Sequence, residues 1–388
     1  MNILQNRFRK LLQETDTRFH RYMYGQIEWG ERMIGLTGPR GVGKTTMVLQ
    51  HIKEHLPLDT TLYVTAEDFY FADHKWRDLA DDLAKQGGTH LIIDEIHKYK
   101  DWSKELKLIY DYHPELQVVF TGSSVLDINK GVADLSRRAL MYHMQGLSFR
   151  EYLLFWHNIE LPLYSLNDIL RQQVQLPAGF RPLQFFSDYL QQGYYPFSSD
   201  NLSLRIQQIV NLALESDIPQ YAGMNVSTGR KLKQLLAIIA KSVPFKPNIS
   251  SIATALNVSR NSVADYCLYI EEAGLIAQLR DDTGGIRGLG KVEKIYLDNT
   301  NLIYNLGGKQ SDIGNIRETF FLNQMRVNHD VITSSVADFK IDGYTFEVGG
   351  RKKGMKQIEG IDDAFIVKDD IEYGYKNTIP LWHFGLNY

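Results

Sequence analysis

Gly38-Pro39-Arg40-Gly41-Val42-Gly43-Lys44-Thr45-Thr46 is the part of this chain whose residue types and spacing most clearly define a chemistry. Its first eight positions match G-x-x-x-x-G-K-[ST]. The glycines let the backbone turn tightly enough for successive N–H groups to face phosphate oxygens, and the start of a following helix adds a favourable dipole. Lys44 would reach the β and γ phosphates of a nucleoside triphosphate, and Thr45 would offer its hydroxyl to Mg²⁺. A second acidic element follows in His90-Leu-Ile-Ile-Asp94-Glu95, an apolar run ending in two carboxylates. Asp94 suits the metal side. Glu95, directly after it, suits activation of the water that attacks the γ phosphate, which separates hydrolysis from phosphoryl transfer between nucleotides.

Two further segments bear on the same chemistry. Gln117-Val-Val-Phe-Thr121 runs into Gly122-Ser123-Ser124, placing small hydroxyls between the two motifs. Ser123 is the first choice and Thr121 the second for a group that senses the γ phosphate. Arg137 and Arg138 come next, and two readings stand for them: a charge acting in a neighbouring subunit's site within a homo-oligomer, or a surface pair.

These groups need a scaffold that brings them to one edge. From Arg32 to about Arg150 short apolar runs alternate with helix-like stretches, the pattern of a parallel sheet with crossover helices. The expected strands are Arg32–Thr37, Thr61–Thr65, His90–Ile93, Gln117–Thr121 and Met141–Met144, with a helix over Met47–His55 after the glycine-rich loop. In such sheets ligands lie beyond the carboxyl ends of the strands, where both motifs emerge. Before them, Leu4, Phe8, Leu11 and Leu12 share a helical face, which reads as a helix packed on the sheet's edge. From 151 to 225 the pattern is helical and rich in aromatics, including Phe155, Phe185, Phe186, Tyr189, Tyr194 and Tyr195. That reads as a lid on the sheet.

The order GPRGVGKTT, LIIDEIHK, VVFTGSS and LSRRALMYHMQGLSFREYL resembles the AAA-superfamily ATPases of bacteria and archaea that carry an appended C-terminal domain of uncertain function. The resemblance covers essentially the whole chain. It implies a five-stranded parallel core with a helical lid, ATP as ligand and Mg²⁺ as cofactor, and it does not imply a substrate.

Downstream, Ser251–Ser259 reads as a short helix and turn, Arg260–Ile270 as a second helix, and Leu275–Leu279 as the start of a hairpin through Asp281–Gly285. This resembles a winged helix. Residues 226–291 hold nine Lys and Arg against five Asp and Glu, a local charge of +4 on a chain of net -3. The charge shift favours DNA, with Arg260, Asn261 and Ser262 opening the recognition helix and Arg287 in the wing. Docking of a protein partner is the alternative, because Asp265, Glu271 and Glu272 would repel phosphate if they shared that face. The tail then places Glu318 on a helix and Asp338 and Glu347 on strands, an order that resembles the PD-(D/E)XK nuclease fold. There the acids bind metal and a lysine assists the attacking water. Gly349 stands where that lysine belongs, so Asp338 and Glu347 read either as metal ligands without cleavage or as solvated strand ends, unless Lys340, Lys352 or Lys353 reaches in.

Bulk composition sets the outer limits. At 388 residues, 44% hydrophobic and 23% charged, the chain is long enough for two or three domains and globular throughout. Its pI near 6.4 excludes a protein basic overall. Cys267 alone forms no internal disulfide, and no apolar run approaches the roughly 20 residues that span a bilayer. The expectation is a cytoplasmic α/β protein without membrane contact. Its ATPase core covers 1–150, a helical lid 151–225, a winged helix 226–297 and a nuclease-like domain 298–388.

Overall fold

A computed structural model describes residues 2–99, 101–122, 135, 137–197, 200–224, 226–241, 244, 246–282, 290–307 and 312–388. They divide into two compact units, Met1–Gly146 and Leu147–Tyr388.

The first unit opens with helix α1 (Asn2–Glu14), which buries Leu4, Phe8 and Leu12 but leaves Leu11 41% exposed. Leu11 therefore lies off the face assigned to it, consistent with the 3.6-residue period, which favours Leu4, Phe8 and Leu12 at i, i+4 and i+8. Five strands form the sheet: β1 (Met33–Thr37), β2 (Thr61–Thr65), β3 (His90–Asp94), β4 (Gln117–Thr121) and β5 (Leu140–His143). Its order is β2-β3-β4-β1-β5 and every pairing is parallel. Buried on both faces, β1 reads Met-Ile-Gly-Leu-Thr without alternation, as parallel strands covered by helices do. The crossovers supply that cover as α2 (Lys44–His55), α3 (Trp76–Lys85) and α4 (Trp102–Tyr112). Trp76, Leu79, Leu83, Leu106 and Ile109 from the last two pack with Leu62, Leu91, Ile93, Val118 and Phe120 into one core.

All five expected strands are present. Their order adds what periodicity does not carry: β4 lies between β1 and β3. Neighbouring strands stand about 5 Å apart, so a gap of about 10 Å separates the end of β1 from that of β3, with the end of β4 between them.

In the second unit the aromatics expected to form a lid pack with distant parts of the same unit. Phe149, on α5 (Phe149–His157), meets Phe186 and Tyr189 of α6 (Pro182–Gln192) and Trp382 near the chain's last residues, at centroid distances of 5.3, 5.6 and 6.4 Å. Buried Asn301 accepts from Tyr194 N at 2.9 Å. The helical stretch thus packs against C-terminal residues within the second unit. After α7 (Leu202–Leu212) come α8 (Val226–Lys241), α9 (Ile249–Leu256) and α10 (Arg260–Glu272). An antiparallel pair then forms from β6 (Ile276–Arg280) and β7 (Val292–Leu297).

Beyond α11 (Thr300–Leu306) and α12 (Ile313–Met325) lies a second sheet: β8 (Val331–Thr333), β9 (Phe339–Ile341), β10 (Tyr344–Gly349), β11 (Ala364–Lys368) and β12 (Thr378–Pro380). Its order is β12-β11-β10-β9-β8, antiparallel from β8 to β10 and parallel from β10 to β12. Among the described residues no helix is long and apolar enough to cross a membrane.

One glycine closes the first sheet onto its loop. Gly38 has φ +138°, and a Cβ there would lie 2.1 Å from the Met144 carbonyl oxygen. Gly38→Ala is expected to lose about 2–4 kcal/mol of local stability from strain and overlap together. Hydrogen exchange of the β1 amides reads this directly, and unchanged protection would show that the loop accommodates the methyl group.

Candidate functional site

The glycine-rich loop connects β1 to α2 with Gly43 at φ +100° as the residue before the helix, where no side chain caps the first turn. The N–H groups of that turn remain for a ligand, which is the arrangement an anion needs. Thr46 is exposed on the same turn, while Pro39 and Val42 are buried and Arg40 is half-buried. Arg21 supports the loop from outside the motif. Buried to 5% exposure, its guanidinium donates to the Val42 carbonyl and to those of Gln145 and Gly146 at 2.7 and 2.8 Å.

Lys44 is buried under the loop, where its ammonium donates to the Gly38 and Pro39 carbonyls at 2.8 and 2.7 Å. Burial pulls its pKa from 10.5 to about 8, against the opposing pull of the Glu95 and Asp94 charges. The two carbonyls are weak partners for a buried cation. A polyphosphate would replace them with full negative charge.

Asp94, 4% exposed, stands at the centre of the site. Its Oδ2 accepts from Thr45 Oγ1 and from Tyr63 OH, both at 2.8 Å, and its Oδ1 accepts from Thr121 Oγ1. Four separate pieces of sequence meet there because β2, β3 and β4 are neighbours and α2 starts beside them. Burial and the Asp94 charge hold the Tyr63 phenol well above its ordinary range, so it remains a donor. These partners are neutral hydroxyls, and Thr45 Oγ1 lies against the carboxylate. The donor set is one of hard oxygens and fits Mg²⁺, with Thr45 and Asp94 as the residues that would hold it.

Glu95 follows in a left-handed conformation, φ +52°, which few residues adopt without cost. Its backbone N–H donates to Thr121 Oγ1 at 3.4 Å. Its Oε2 lies 3.7 Å from Arg40 Nη1 and 3.5 Å from His97 Nε2, and Arg40 Nη2 lies 3.2 Å from the same histidine nitrogen. Arg40 and His97 thus face the carboxylate expected to activate water. Sequence reasoning missed Tyr63, His97 and Arg21, and it assigned Arg40 only to the loop. Strand pairing brings Tyr63 to Asp94, whereas His97 stands two residues after Glu95 in the following turn, where a local reading could have found it.

Thr121, the second choice as sensor, is joined to Asp94. Ser123, the first choice, lies outside the described residues, as does Arg287. Arg138 makes a two-pronged pair with Asp111, Nε to Oδ1 at 2.9 Å and Nη2 to Oδ2 at 3.1 Å, whereas Arg137 is exposed.

In the second unit, Arg260 and Asn261 are exposed in the first turn of α10, which Ser259 caps by accepting from Ser262 N at 3.1 Å. The Ser262 hydroxyl is 2.8 Å from Ser259 Oγ and so belongs to the cap. Glu271, expected to repel phosphate, is turned inward: it accepts from Gln278 N and pairs with Arg280, each at 2.7 Å. Asp338 and Glu347 come together with Glu318. Lys353 Nζ pairs with Glu347, its stem crossing Gly349 so closely that a Cβ there would lie 2.7 Å from Lys353 Cγ. Of Lys340, Lys352 and Lys353, it is Lys353 that pairs with Glu347. Among the described residues no group of three His, Cys, Asp or Glu is arranged to hold a metal ion.

Residues 30–153 match a family model described as an AAA domain, and residues 183–312 match one described as a domain of unknown function (DUF8612). The first unit has the AAA-type P-loop fold. The uncharacterized protein MJ1637 of Methanocaldococcus jannaschii is 25% identical over 270 residues, 64% of this chain. The match spans 57% of that relative's own length, little more than half. Among solved structures, the Walker-type ATPase PABY2304 of Pyrococcus abyssi is similar at 10% identity and TM-score 0.42, covering 78% of this chain and 94% of that one. AMPPCP-bound DnaA from Aquifex aeolicus is similar at 11% identity and TM-score 0.23, covering 69% and 88%. Neither likeness bears on the fold, which rests on this chain's own strand order.

The position of Lys44 makes nucleotide binding depend on pH. With a pKa of about 8 in the free protein, Lys44 is charged at pH 7 and largely neutral at pH 9. Polyphosphate favours the ammonium and raises that pKa, so binding draws in a proton above pH 8 and weakens as pH rises further. Calorimetry in two buffers of different ionisation enthalpy should give about one proton taken up per ATP at pH 9 and none from this group at pH 7. Uptake that persists unchanged in Lys44→Arg would assign it to another residue.

Proposed function

We propose that the first unit hydrolyses ATP with Mg²⁺, and that this turnover drives or gates the engagement of DNA by the second unit. The observation that carries the ATPase reading is the Asp94 carboxylate, which joins Thr45 of the glycine-rich loop to Thr121 of β4 immediately before Glu95. When nucleotide enters, Lys44 leaves the Gly38 and Pro39 carbonyls for the β and γ phosphates, and the first-turn N–H groups of α2 face their oxygens. Mg²⁺ held at Thr45 and Asp94 would supply the positive charge that offsets charge developing on the phosphates. Glu95 takes a proton from the attacking water, and Thr121 fixes the strand end from which Glu95 acts. Arg137, exposed on the first unit, is the residue we assign to stabilising transition-state charge in a neighbouring subunit.

The DNA reading is supported by the exposed Arg260 and Asn261 at the start of a capped helix. The internal pairing of Glu271 removes one repelling charge from the competing side. The winged-helix reading of this region is supported by α8–α10 followed by the β6–β7 pair, and the PD-(D/E)XK-like reading of the tail by α12 followed by the β8–β12 sheet. Exposed Asp265 on α10 favours the second reading, a protein partner gated by nucleotide.

Lys44→Ala is expected to abolish ATP binding, whereas Glu95→Gln should keep ATP bound and lower turnover by about 100-fold or more, since the amide lacks a basic oxygen. Steady-state hydrolysis with a parallel binding assay separates the two, and normal turnover in Glu95→Gln would remove its assigned role. In the same assay Arg137→Ala should lose activity and recover part of it when mixed with Lys44→Ala. A mixture without recovery argues against action between subunits.

For DNA, anisotropy titrations of duplex and branched substrates between 50 and 200 mM salt should show affinity falling steeply, because phosphate contacts release counterions. Arg260→Ala should lower the log–log slope by about 1. Absence of DNA binding, with and without ATP, would favour the protein-partner reading.

A further inference from the structure

The second unit holds a cluster of charge that the proposed function does not use. Glu318 on α12, Asp338 just before β9 and Glu347 on β10 are brought together with two lysines, Lys294 and Lys353. Lys294 Nζ lies 3.2 Å from Glu318 Oε2 and 3.3 Å from Asp338 Oδ1. It arrives from β7, where residues 294 and 296 share a face. Tyr296 OH from that face donates to the same Glu318 oxygen at 2.7 Å. Asp338 Oδ2 accepts from Val348 N at 3.0 Å. Lys353 neutralises Glu347 through Oε1. The other oxygen, Oε2, is buried and has no hydrogen-bond partner, on a side chain only 2% exposed.

Three carboxylates in so little solvent need a counter-charge, since a buried anion left unpaired is very costly. Burial pushes the Glu318 carboxyl above the usual range, and the Asp338 charge pushes it further. Burial pulls the Lys294 ammonium down, but Glu318 and Asp338 outweigh it and hold that group above its ordinary value. The ammonium therefore stays charged between two carboxylates, where a hard cation would stand. A divalent ion would take the same oxygens from Glu318 and Asp338. Two positive centres at that spacing repel, so ammonium and metal exclude each other. The buried Glu347 Oε2, which has no hydrogen-bond partner, is an acceptor that the ammonium does not use.

We propose that Lys294 occupies the place a divalent cation would take beside Glu318, Asp338 and Glu347, which are not arranged to hold a metal ion as the chain stands, so that the folded protein excludes Mg²⁺ and Mn²⁺ there and accepts one ion only when Lys294 is removed. The occupant is an oxygen-seeking divalent ion, since carboxylate oxygens are the groups presented. The arrangement also gives Lys294 and Tyr296 a positional role, because together they fasten the β6–β7 pair to α12.

The test is a Mn²⁺ titration of the nucleotide-free full chain, with free Mn²⁺ read by electron paramagnetic resonance. Binding at Asp94 is common to all variants and cancels in differences. Wild type and Asp338→Asn should bind equally, while Lys294→Met should bind one additional Mn²⁺ per chain, lost again in the Lys294→Met/Asp338→Asn double variant. Thermal melting of Lys294→Met should rise with Mn²⁺ where that of wild type does not. Lys294→Gln, which keeps a hydrogen-bonding end, serves as the second variant, and circular dichroism checks that each is folded. One more Mn²⁺ on wild type than on Asp338→Asn would overturn the proposal, and this comparison holds even if both Lys294 variants fail to fold. Folded Lys294→Met and Lys294→Gln that gain no ion would overturn it equally.

Discussion

A single buried carboxylate organises the first unit's chemistry. Asp94 accepts hydroxyls from Thr45, Tyr63 and Thr121, so α2, β2 and β4 are tied to the end of β3 at one point. Such a group is costly to bury unless its lone pairs are met, and meeting them with neutral hydroxyls leaves its charge available. Lys44 lies on the other side of the same constraint. It is an ammonium held by two carbonyls in a place that lowers its pKa, with the nearest full negative charges on Asp94 and Glu95. Both groups are arranged for an ionic partner that brings polyphosphate and a cation together.

Glu95 depends on this arrangement for its position. Its left-handed backbone turns the chain sharply at the strand end, and the Thr121 hydroxyl that bonds Asp94 also receives the Glu95 N–H. Arg40 and His97 face its carboxylate at 3.7 and 3.5 Å. These contacts restrain the Glu95 side chain while the loop is in this conformation. Arg40 belongs to the glycine-rich loop itself, and the loop and the Glu95 carboxylate are therefore coupled through one side chain.

The second unit solves a comparable electrostatic problem differently. Its acids are met by ammonium groups of the chain, Lys294 from β7 and Lys353 from beyond β10. Gly349 has a physical role here: lacking a Cβ, it leaves the space through which the Lys353 stem passes. Along α10 the internal pairing of Glu271 with Arg280 likewise uses a charge that the composition alone would place on the surface. Local charge totals say little about a face until partners are assigned.

Read as a string, this chain determines the phosphate loop, the acidic strand end and the alternation that forces a parallel sheet, because each is local. A glycine-rich turn, an apolar run and a capped helix depend on residues within a few positions of one another. The five strands of the first sheet were legible for this reason, and so was the gathering of Lys44, Thr45, Asp94 and Glu95 at one edge of it. Strand order was not, since parallel pairing joins residues tens of positions apart and periodicity carries no information about neighbours. Tyr63 reaches the site only through that order. The spacing of the aromatics from 149 to 195 carries no mark of Trp382 and Phe320 as partners, and only the tertiary structure supplies those contacts. Lys294 lies 24 residues from Glu318 and 44 from Asp338, with nothing between them to mark the pairing. Its place was decided by the need to neutralise buried carboxylates, a constraint that exists only once the chain has folded.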